Sequence, residues 1–330
     1  LLMSAVALGQ APVPPESGVF FGLIVCDTFS LIFRWLSLGT VAVVLLLIAG
    51  SREVEESIRG EYLGLLLFVG VGLMLMAEAN HLLMAYVSME LVSLSSYALV
   101  GLLRDARASE AALKYLLFGA LASGIMLFGM SWLFGLTGAL AFSELSQAAA
   151  GLTGAMHDSL LVAVALMFVG LAFKISMVPF HMWTPDVYEG APVPVTALLS
   201  VGPKAAGLAL LLRVAAGVAP VWASLEPLLL ALTVITMTLG NLVALAQTNV
   251  KRLLAYSTIG QVGYLLIGFV VNTRAGIEAL AVYLVAYLFM NLGAFACVVA
   301  VVNDTGNESL DAFAGLAKRA PLLAASCAIC

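Results

Sequence analysis

Two lysines and one glutamate lie inside apolar stretches of the chain, where their charges are costly. Lys174 and Lys204 are 30 residues apart, and Glu90 lies in an earlier apolar stretch. A charged side chain at the centre of a bilayer costs roughly 2.5–3.5 kcal/mol on insertion scales, so such a residue usually has a function. Burial disfavours the charge of a lysine and a nearby carboxylate favours it, so a glutamate–lysine set can take up and release protons. These residues predict a proton relay.

Each lysine has a proline close by. Pro179 has no N–H for the carbonyl of Ile175, and its ring crowds that carbonyl, so a helix carrying Lys174 should break one residue after it. Lys204 directly follows Pro203, which predicts a second helix breaker beside a lysine. Broken backbone is tolerated at membrane depth only inside protein or beside a wet cavity. For Lys174, snorkelling from a helix end is the alternative.

Polar side chains accompany Glu90 at helical spacing. Tyr86, Ser93 and Tyr97 lie 4, 3 and 7 residues from it, so all four share one face of a helix. A polar packing seam between membrane helices would give the same pattern of Ser and Tyr. The glutamate favours the functional interpretation.

Four further ionisable residues have simpler explanations. Lys114 follows Glu110 by four residues, so a helical ion pair explains it as well as an accessory relay role does. His181 titrates near neutral pH, but a structural hydrogen bond explains it at least as well. Asp27 and Arg34 are seven residues apart, so they could pair along one helical face, and we interpret them as structural.

Composition places the chain among membrane proteins. Hydrophobic residues make up 63% and charged residues 10% of its 330 residues, against about 45–50% apolar residues in a soluble domain. The mean hydropathy is +1.11. The net charge of −5 and only 14 Lys and Arg argue against nucleic acid as a partner. The lipid bilayer is the expected surrounding.

Nine apolar segments are long enough to cross a bilayer as helices, which predicts an all-α polytopic membrane protein. Lysine and arginine are concentrated in one set of alternate connections, so the positive-inside rule places residues 303–319 in the cytoplasm and residues 13–19 outside. The apolar stretches at residues 1–8 and 322–330 suggest helices cut at both ends, with a signal-peptide remnant as the alternative for the first. The nine segments span residues 20–49, 61–79, 82–103, 110–136, 158–180, 192–213, 223–246, 253–271 and 276–302.

A weak internal similarity suggests an inverted repeat. Residues 83–88 resemble residues 253–258, and these segments are five spans apart, so a second copy would enter the membrane from the opposite side. We therefore divide the chain into N-terminal helices at 1–60, a first five-helix unit at 61–213 and a second unit at 214–330. Cys327 and Cys330 form a C-x-x-C in an apolar run, but without a second pair they predict no metal site.

Three sequence blocks resemble a known family. Residues 173–192 read FKISMVPFHMWTPDVYEGAP, residues 247–257 read QTNVKRLLAYS and residues 110–115 read EAALKY. They resemble the antiporter-like membrane subunits of respiratory complex I. The motif PDVYEGAP resembles the corresponding motif of the subunit N branch (subunit 2 in mitochondria). The similarity extends over nearly the whole chain.

The resemblance implies a fold, partners and roles. It implies inverted five-helix units with proline-broken helices, and a relay in which Glu90 biases Lys174 and Lys204 carries the proton onward. Quinone reduction in neighbouring membrane-arm subunits would drive the relay, and this chain would hold no flavin, iron–sulfur cluster or haem. The resemblance also implies a further broken helix with its own lysine after residue 321. A bacterial inner-membrane location fits the resemblance.

Three other functions stay open. One is a subunit of a Mrp-type cation/proton antiporter, which shares the same ancestry. Another is a scaffold subunit whose charges only pair helices together. An intramembrane hydrolase is remote, because the sequence shows neither a buried nucleophile and base nor a metal set.

Overall fold

The computed structural model describes residues 19–330, and within them nine helical spans are long and apolar enough to cross a membrane. This confirms the nine predicted segments and the all-α membrane fold. The predictions for residues 1–8 and for almost all of the external loop at 13–19 fall outside the described residues. The thirteen α-helices of the described part are α1 (Thr28–Gly50), α2 (Arg59–Glu78), α3 (Leu82–Gly101), α4 (Ala106–Thr137), α5 (Phe142–Ala150), α6 (Ala155–Ile175), α7 (Trp183–Gly190), α8 (Val193–Gly217), α9 (Trp222–Ala244), α10 (Val250–Val271), α11 (Arg274–Thr305), α12 (Leu316–Arg319) and α13 (Pro321–Ile329).

Polar residues set where several of these helices begin. The first span begins at Thr28 rather than near residue 20, because the Asp27 side chain accepts a hydrogen bond from Ser30 N at 2.8 Å and caps the helix. Asp105 and Asn249 cap α4 and α10 in the same way. Side-chain oxygens at these positions satisfy N–H groups that have no partner within the helix. These caps define where α1, α4 and α10 begin.

The helix break after Lys174 lies where the sequence predicts it. Helix α6 ends at Ile175, Ser176 takes a left-handed conformation with φ 63°, and helix resumes at Trp183. Helix α7 ends at Gly190 after eight residues. The fifth span is thus a long half and a short half that meet inside the protein.

The predicted break at Pro203 is wrong. Helix α8 runs through Pro203 without interruption. Neighbouring elements surround this helix, and every residue from Val193 to Leu212 is buried. Dense packing of this kind lets a membrane helix tolerate a proline.

Helix α8 is the axis of the bundle, and α9 lies at its edge. Helix α8 packs against α1, α2, α6, α10 and α11, whereas α9 packs mainly against α10. Glycines permit that last contact. A Cβ at Gly240 of α9 would lie 2.4 Å from the backbone nitrogen of Gly260 in α10. The two backbones touch there, and no larger residue fits without separating the helices.

An internal repeat is visible in the hydrogen bonds at the ends of two helix pairs. Helices α4 and α11 each have 32 residues, and each ends at a left-handed glycine, Gly138 or Gly306. Leu82 N donates to Leu140 O at 2.8 Å, and Val250 N donates to Glu308 O at 2.9 Å. The corresponding residues are 168 positions apart in each case. The similarity between residues 83–88 and 253–258 predicts an offset of 170, which differs by two residues from the offset of 168 in the structure.

The two helix pairs run in opposite directions across the bundle. Helix α3 is the third span and α10 the eighth, an offset of five, so equivalent ends lie at opposite faces. This geometry supports the inverted repeat. The unit boundaries at residues 61, 213 and 214 stay a prediction.

Candidate functional site

Lys174 is buried at the end of the long half of the broken span. Its side chain is 1% exposed, and Nζ donates to Ser93 Oγ on α3 at 3.0 Å. Glu90 lies one turn before Ser93, and its carboxylate accepts a hydrogen bond from the hydroxyl of Ser123 on α4. No ion pair joins Glu90 to Lys174 among residues 19–330. Ser93 therefore stands between the predicted partners, so their interaction passes through or around a hydroxyl group.

Lys204 is fully buried in the middle of α8 and has aromatic neighbours in place of a carboxylate. Its Nζ has no hydrogen-bond partner in the described part of the chain, and it lies 4.5 Å from the ring centre of Trp183 and 5.5 Å from that of Tyr188. Aromatic faces attract a cation, most strongly where water is excluded. Both rings belong to α7, the short half of the broken span.

Trp183 connects the two lysine sites. Its indole N–H donates to the carbonyl of Phe173 at 3.2 Å, in the last turn of α6, and its ring stacks on Tyr115 with ring centres 4.3 Å apart. Gly207 brings α8 close to the same turn, since a Cβ there would lie 3.6 Å from Cγ of Lys174. The break thus places both lysines next to one aromatic cluster.

Sequence reasoning missed Ser123, Trp183 and Tyr188. Trp183 and Tyr188 lie within the block that carries the family resemblance, so their position was visible although their contact with Lys204 was not. That contact depends on how the short half-helix folds back beside α8. Spacing within one segment cannot show it.

We call the end of the bundle that carries Arg107, Lys251 and Arg252 the basic face. Lys114 lies there and pairs with Glu110 at 2.8 Å, as its spacing predicts, and with Asp186 of α7 at 3.0 Å. Its side chain is 40% exposed, so it lies outside the buried lysine cluster.

Two blocks of the family resemblance contact each other at the basic face. Arg252 bonds Asp186 at 2.9 Å and Glu189 at 2.8 Å, so the end of α7 is tied to the start of α10. Lys114 and Arg252 each bond one oxygen of the Asp186 carboxylate. These carboxylates anchor the short half-helix.

A second charged group lies beside a cavity of about 770 Å³ at the same face. Lys251 is 2% exposed and bonds Glu308 at 2.6 Å, and Glu308 also bonds Arg107 at 2.6 Å. Burial raises the pKa of Glu308, but Lys251 and Arg107 outweigh burial, so the net pKa is lowered. The carboxylate of Glu53 accepts a hydrogen bond from Val193 N at 2.8 Å. Burial raises the pKa of Glu53, and it outweighs the opposing effects of Lys251 and of this hydrogen bond.

Three further ionisable residues, His181, Asp27 and Arg34, have contacts that the sequence does not predict. His181 lies in the break, where its Nδ1 is buried without a hydrogen-bond partner among the residues that the structure describes, and it forms no hydrogen bond with Lys174 or Lys204. Asp27 and Arg34 do not pair with each other. Asp27 caps the N-terminus of α1 and also bonds Arg213 of α8 at 2.7 Å, whereas Arg34 bonds Glu78 of α2.

Within residues 19–330, no group of three His, Cys, Asp or Glu side chains could hold a metal ion. All four cysteines are free thiols. The site is therefore described by its lysines, its carboxylates and the aromatic cluster.

The bundle, its proline-broken span and its buried lysines define an antiporter-like helical membrane protein. The family described as "NADH:quinone oxidoreductase/Mrp antiporter, TM" matches residues 79–330. The chain belongs to this family.

Relatives specify the branch of the family. The chain is 50% identical over 328 residues to NADH-quinone oxidoreductase subunit N 2 of Sorangium cellulosum, covering 94% of this chain and 65% of that protein. It is 42% identical over 350 residues to NADH-quinone oxidoreductase subunit N of Anaeromyxobacter sp., covering 100% of this chain and 68% of that protein. The chain thus spans about two thirds of the length of these relatives.

A solved structure shares the fold. A chain of "Respiratory complex I from Thermus thermophilus with bound Aureothin" superposes with a TM-score of 0.78 and is 35% identical, covering 98% of this chain and 68% of that one. The similarity to subunit N and to the antiporter-like fold confirms the resemblance drawn from the three sequence blocks.

Proposed function

We propose that this chain is a proton-translocating membrane-arm subunit of an NADH-quinone oxidoreductase. The observation that carries the proposal is the pair of fully buried lysines, Lys174 and Lys204, on either side of a helix break. Buried ionisable groups without a full set of partners are costly, and they are retained where charge must change. The names of the relatives supply the partner reaction, quinone reduction by NADH.

Each residue has a defined part in the relay. Glu90 favours the charged form of Lys174 through Ser93, and a shift of charge at Glu90 would weaken that influence and release the proton. Lys204 receives it, and its ammonium is stabilised by the faces of Trp183 and Tyr188. Lys114 and His181 are accessory candidates. The chain's own residues hold and move protons, while any flavin, iron–sulfur cluster or haem belongs to other subunits.

The proposal includes a location and partners. The protein would lie in a bacterial plasma membrane with the basic face in the cytoplasm, in agreement with the positive-inside rule. Other membrane-arm subunits would pack against the membrane-spanning helices of this chain, and charges in those subunits would change the charge state of Glu90.

Substitution at the relay tests the proposal in membrane vesicles that contain the assembled complex with the full-length protein. We expect Lys204→Met and Glu90→Gln to lower proton translocation at least about tenfold, a lower bound set below the roughly 10²–10⁴-fold that a positioned proton-transfer group contributes. Lys318→Met is the matched control, because Lys318 is exposed and forms no ion pair with residues 19–330. NADH-dependent acidification, measured with a fluorescent dye, is compared with NADH oxidation. Full acidification in both relay variants would refute the proposal and favour a scaffold role.

A subunit of a Mrp-type antiporter is the second candidate, because the family description includes it. The same vesicles distinguish the two. A Na⁺ gradient that drives proton movement without NADH would support the antiporter, and strict dependence on NADH oxidation supports the oxidoreductase.

A further inference from the structure

The turn after Lys174 takes a hydrogen-bond acceptor from a different helix. The backbone N–H groups that follow α6 are buried in a membrane-spanning bundle, where a group without a partner is costly. Ser176 N and Met177 N donate to carbonyls in the last turn of α6, at 3.1 and 2.9 Å. The N–H of Val178 donates instead to Thr236 Oγ1 on α9, at 3.1 Å. A side chain of α9 therefore completes the hydrogen bonding of the break.

The Thr236 hydroxyl is oriented to act as an acceptor for the break. Its proton donates to the carbonyl of Leu232, one turn earlier on α9, at 2.6 Å. Because the proton is used there, a lone pair of the oxygen is available to Val178. Thr236 is fully buried and Val178 is nearly so, which makes this N–H dependent on the one acceptor that the protein provides.

Helix α9 is held against α10 at the level of Thr236. A Cβ at Gly263 of α10 would lie 2.5 Å from the backbone nitrogen of Met237, the residue after Thr236, and the close contact at Gly240 lies one turn further on. Backbones that touch at two successive points leave Thr236 little room to move relative to α10. Arg252 of α10 also bonds the far end of the short half-helix α7. Helices α9 and α10 therefore hold the broken span at its turn and at its end.

A second threonine of α9 shows which part of this arrangement is specific. Threonines in membrane helices commonly bond the carbonyl four residues earlier, and Thr233 does so with Leu229 O at 2.7 Å. Thr233 is 2% exposed and lies on the same buried stripe of α9 as Thr236. It forms no other hydrogen bond with the residues that the structure describes. The contact with the break is what distinguishes Thr236.

We propose that Thr236 is a positioning residue for Lys174, which it fixes through the turn at Val178. Without the hydroxyl, the N–H of Val178 must find water or another carbonyl, and the turn moves to reach it. The turn begins two residues after Lys174, so its movement displaces the ammonium group from Ser93, 3.0 Å away, and changes its separation from Glu90. Thr236 itself neither contacts the lysine nor carries a proton. This inference deepens the proposed function and rests on it.

Substitutions that keep the shape of the side chain test this role in the assembled complex with the full-length protein. Thr236→Val should speed amide exchange of residues 176–182 about tenfold, as expected for one lost hydrogen bond, by mass spectrometry. It should also lower the protons moved per NADH in vesicles about tenfold, within the roughly hundredfold that a 1 Å misplacement of a reacting group can cost.

Two further variants are the controls. Thr236→Ser keeps the acceptor, so amide exchange and translocation should both return to wild-type values. Thr233→Val is matched in residue type, burial and helix, and it should change neither measurement. Native gels show how much complex each variant assembles, and the ratio of protons to NADH does not depend on that amount.

The outcomes separate this inference from the proposed function. Normal translocation in Lys204→Met and Glu90→Gln overturns the proposed function itself. Loss in those variants, with a normal ratio of protons to NADH or unchanged amide exchange in Thr236→Val, overturns only the positioning role. An equal loss in Thr236→Ser or in Thr233→Val also overturns it, because a packing defect in α9 would then explain the result. Faster exchange and lower translocation in Thr236→Val, both restored in Thr236→Ser, support the positioning role.

Discussion

Removing one partner of the buried Lys251–Glu308 pair should have unequal effects, depending on which partner is removed. Glu308→Gln leaves the ammonium of Lys251 buried with only the carbonyl of Ala191, at 2.9 Å, as a strong acceptor. An unpaired buried charge of this kind costs about 3–5 kcal/mol. Lys251→Met leaves Glu308 bonded to Arg107 and to Asn249, so its expected cost is about 1–3 kcal/mol.

The double variant gives the decisive measurement. Lys251→Met with Glu308→Gln removes both charges, so its loss of stability should be smaller than the sum of the two single losses. The free energy of unfolding is measured by denaturing the purified full-length protein in mixed detergent micelles. Lys318→Met serves as the exposed control. Strict additivity in the double variant would show that the 2.6 Å contact contributes nothing to the fold, and equal single losses would refute the expected asymmetry.

Three further predictions follow from packing and charge. Gly240→Ala should destabilise the protein by about 1–3 kcal/mol in the same unfolding assay, because its Cβ meets the backbone of Gly260, whereas Gly64→Ala meets nothing within 4 Å and should be neutral. Arg252→Ala should speed amide exchange of residues 183–190 roughly tenfold by mass spectrometry, since Asp186 and Glu189 lose a shared partner. The lowered pKa of Glu308 stabilises the fold above the ordinary glutamate pKa, and this contribution is lost as pH falls through the lowered value, so acid should reduce the melting temperature less in Glu308→Gln than in wild type.

The spans and the first helix break were predictable from sequence because they depend on local properties. Apolar length defines the spans, and Pro179 acts on a carbonyl four residues away. Pro203 was misjudged since its tolerance depends on neighbours that surround α8. The spacing of Asp27 and Arg34 permits a pair that does not form, for a similar reason. Spacing gives the faces of one helix, but the partners Glu78 and Arg213 come from other helices.

The site was predictable in its charges but not in its contacts. Lys174, Lys204 and Glu90 stand out because charge is rare in apolar sequence. Trp183 does not stand out in the same way, since an aromatic residue in a membrane protein is ordinary. Its role depends on the turn after Ile175, which places its ring against an ammonium group from another helix.

The position of Lys204 along α8 makes its protonation sensitive to membrane voltage. It lies eleven residues after Val193, where the helix leaves the basic face, and at 1.5 Å per residue this is about 17 Å. That is roughly half of a hydrocarbon core of about 30 Å. Moving one charge across the whole membrane costs about 2.3 kcal/mol per 100 mV. At about 100 mV, a proton that reaches Lys204 from the basic face therefore works against about 1.1 kcal/mol, which is about a sevenfold change in the occupancy of Lys204 by a proton. With the basic face in the cytoplasm, as proposed, the occupancy of Lys204 by a proton would change with membrane voltage without any movement of its neighbours.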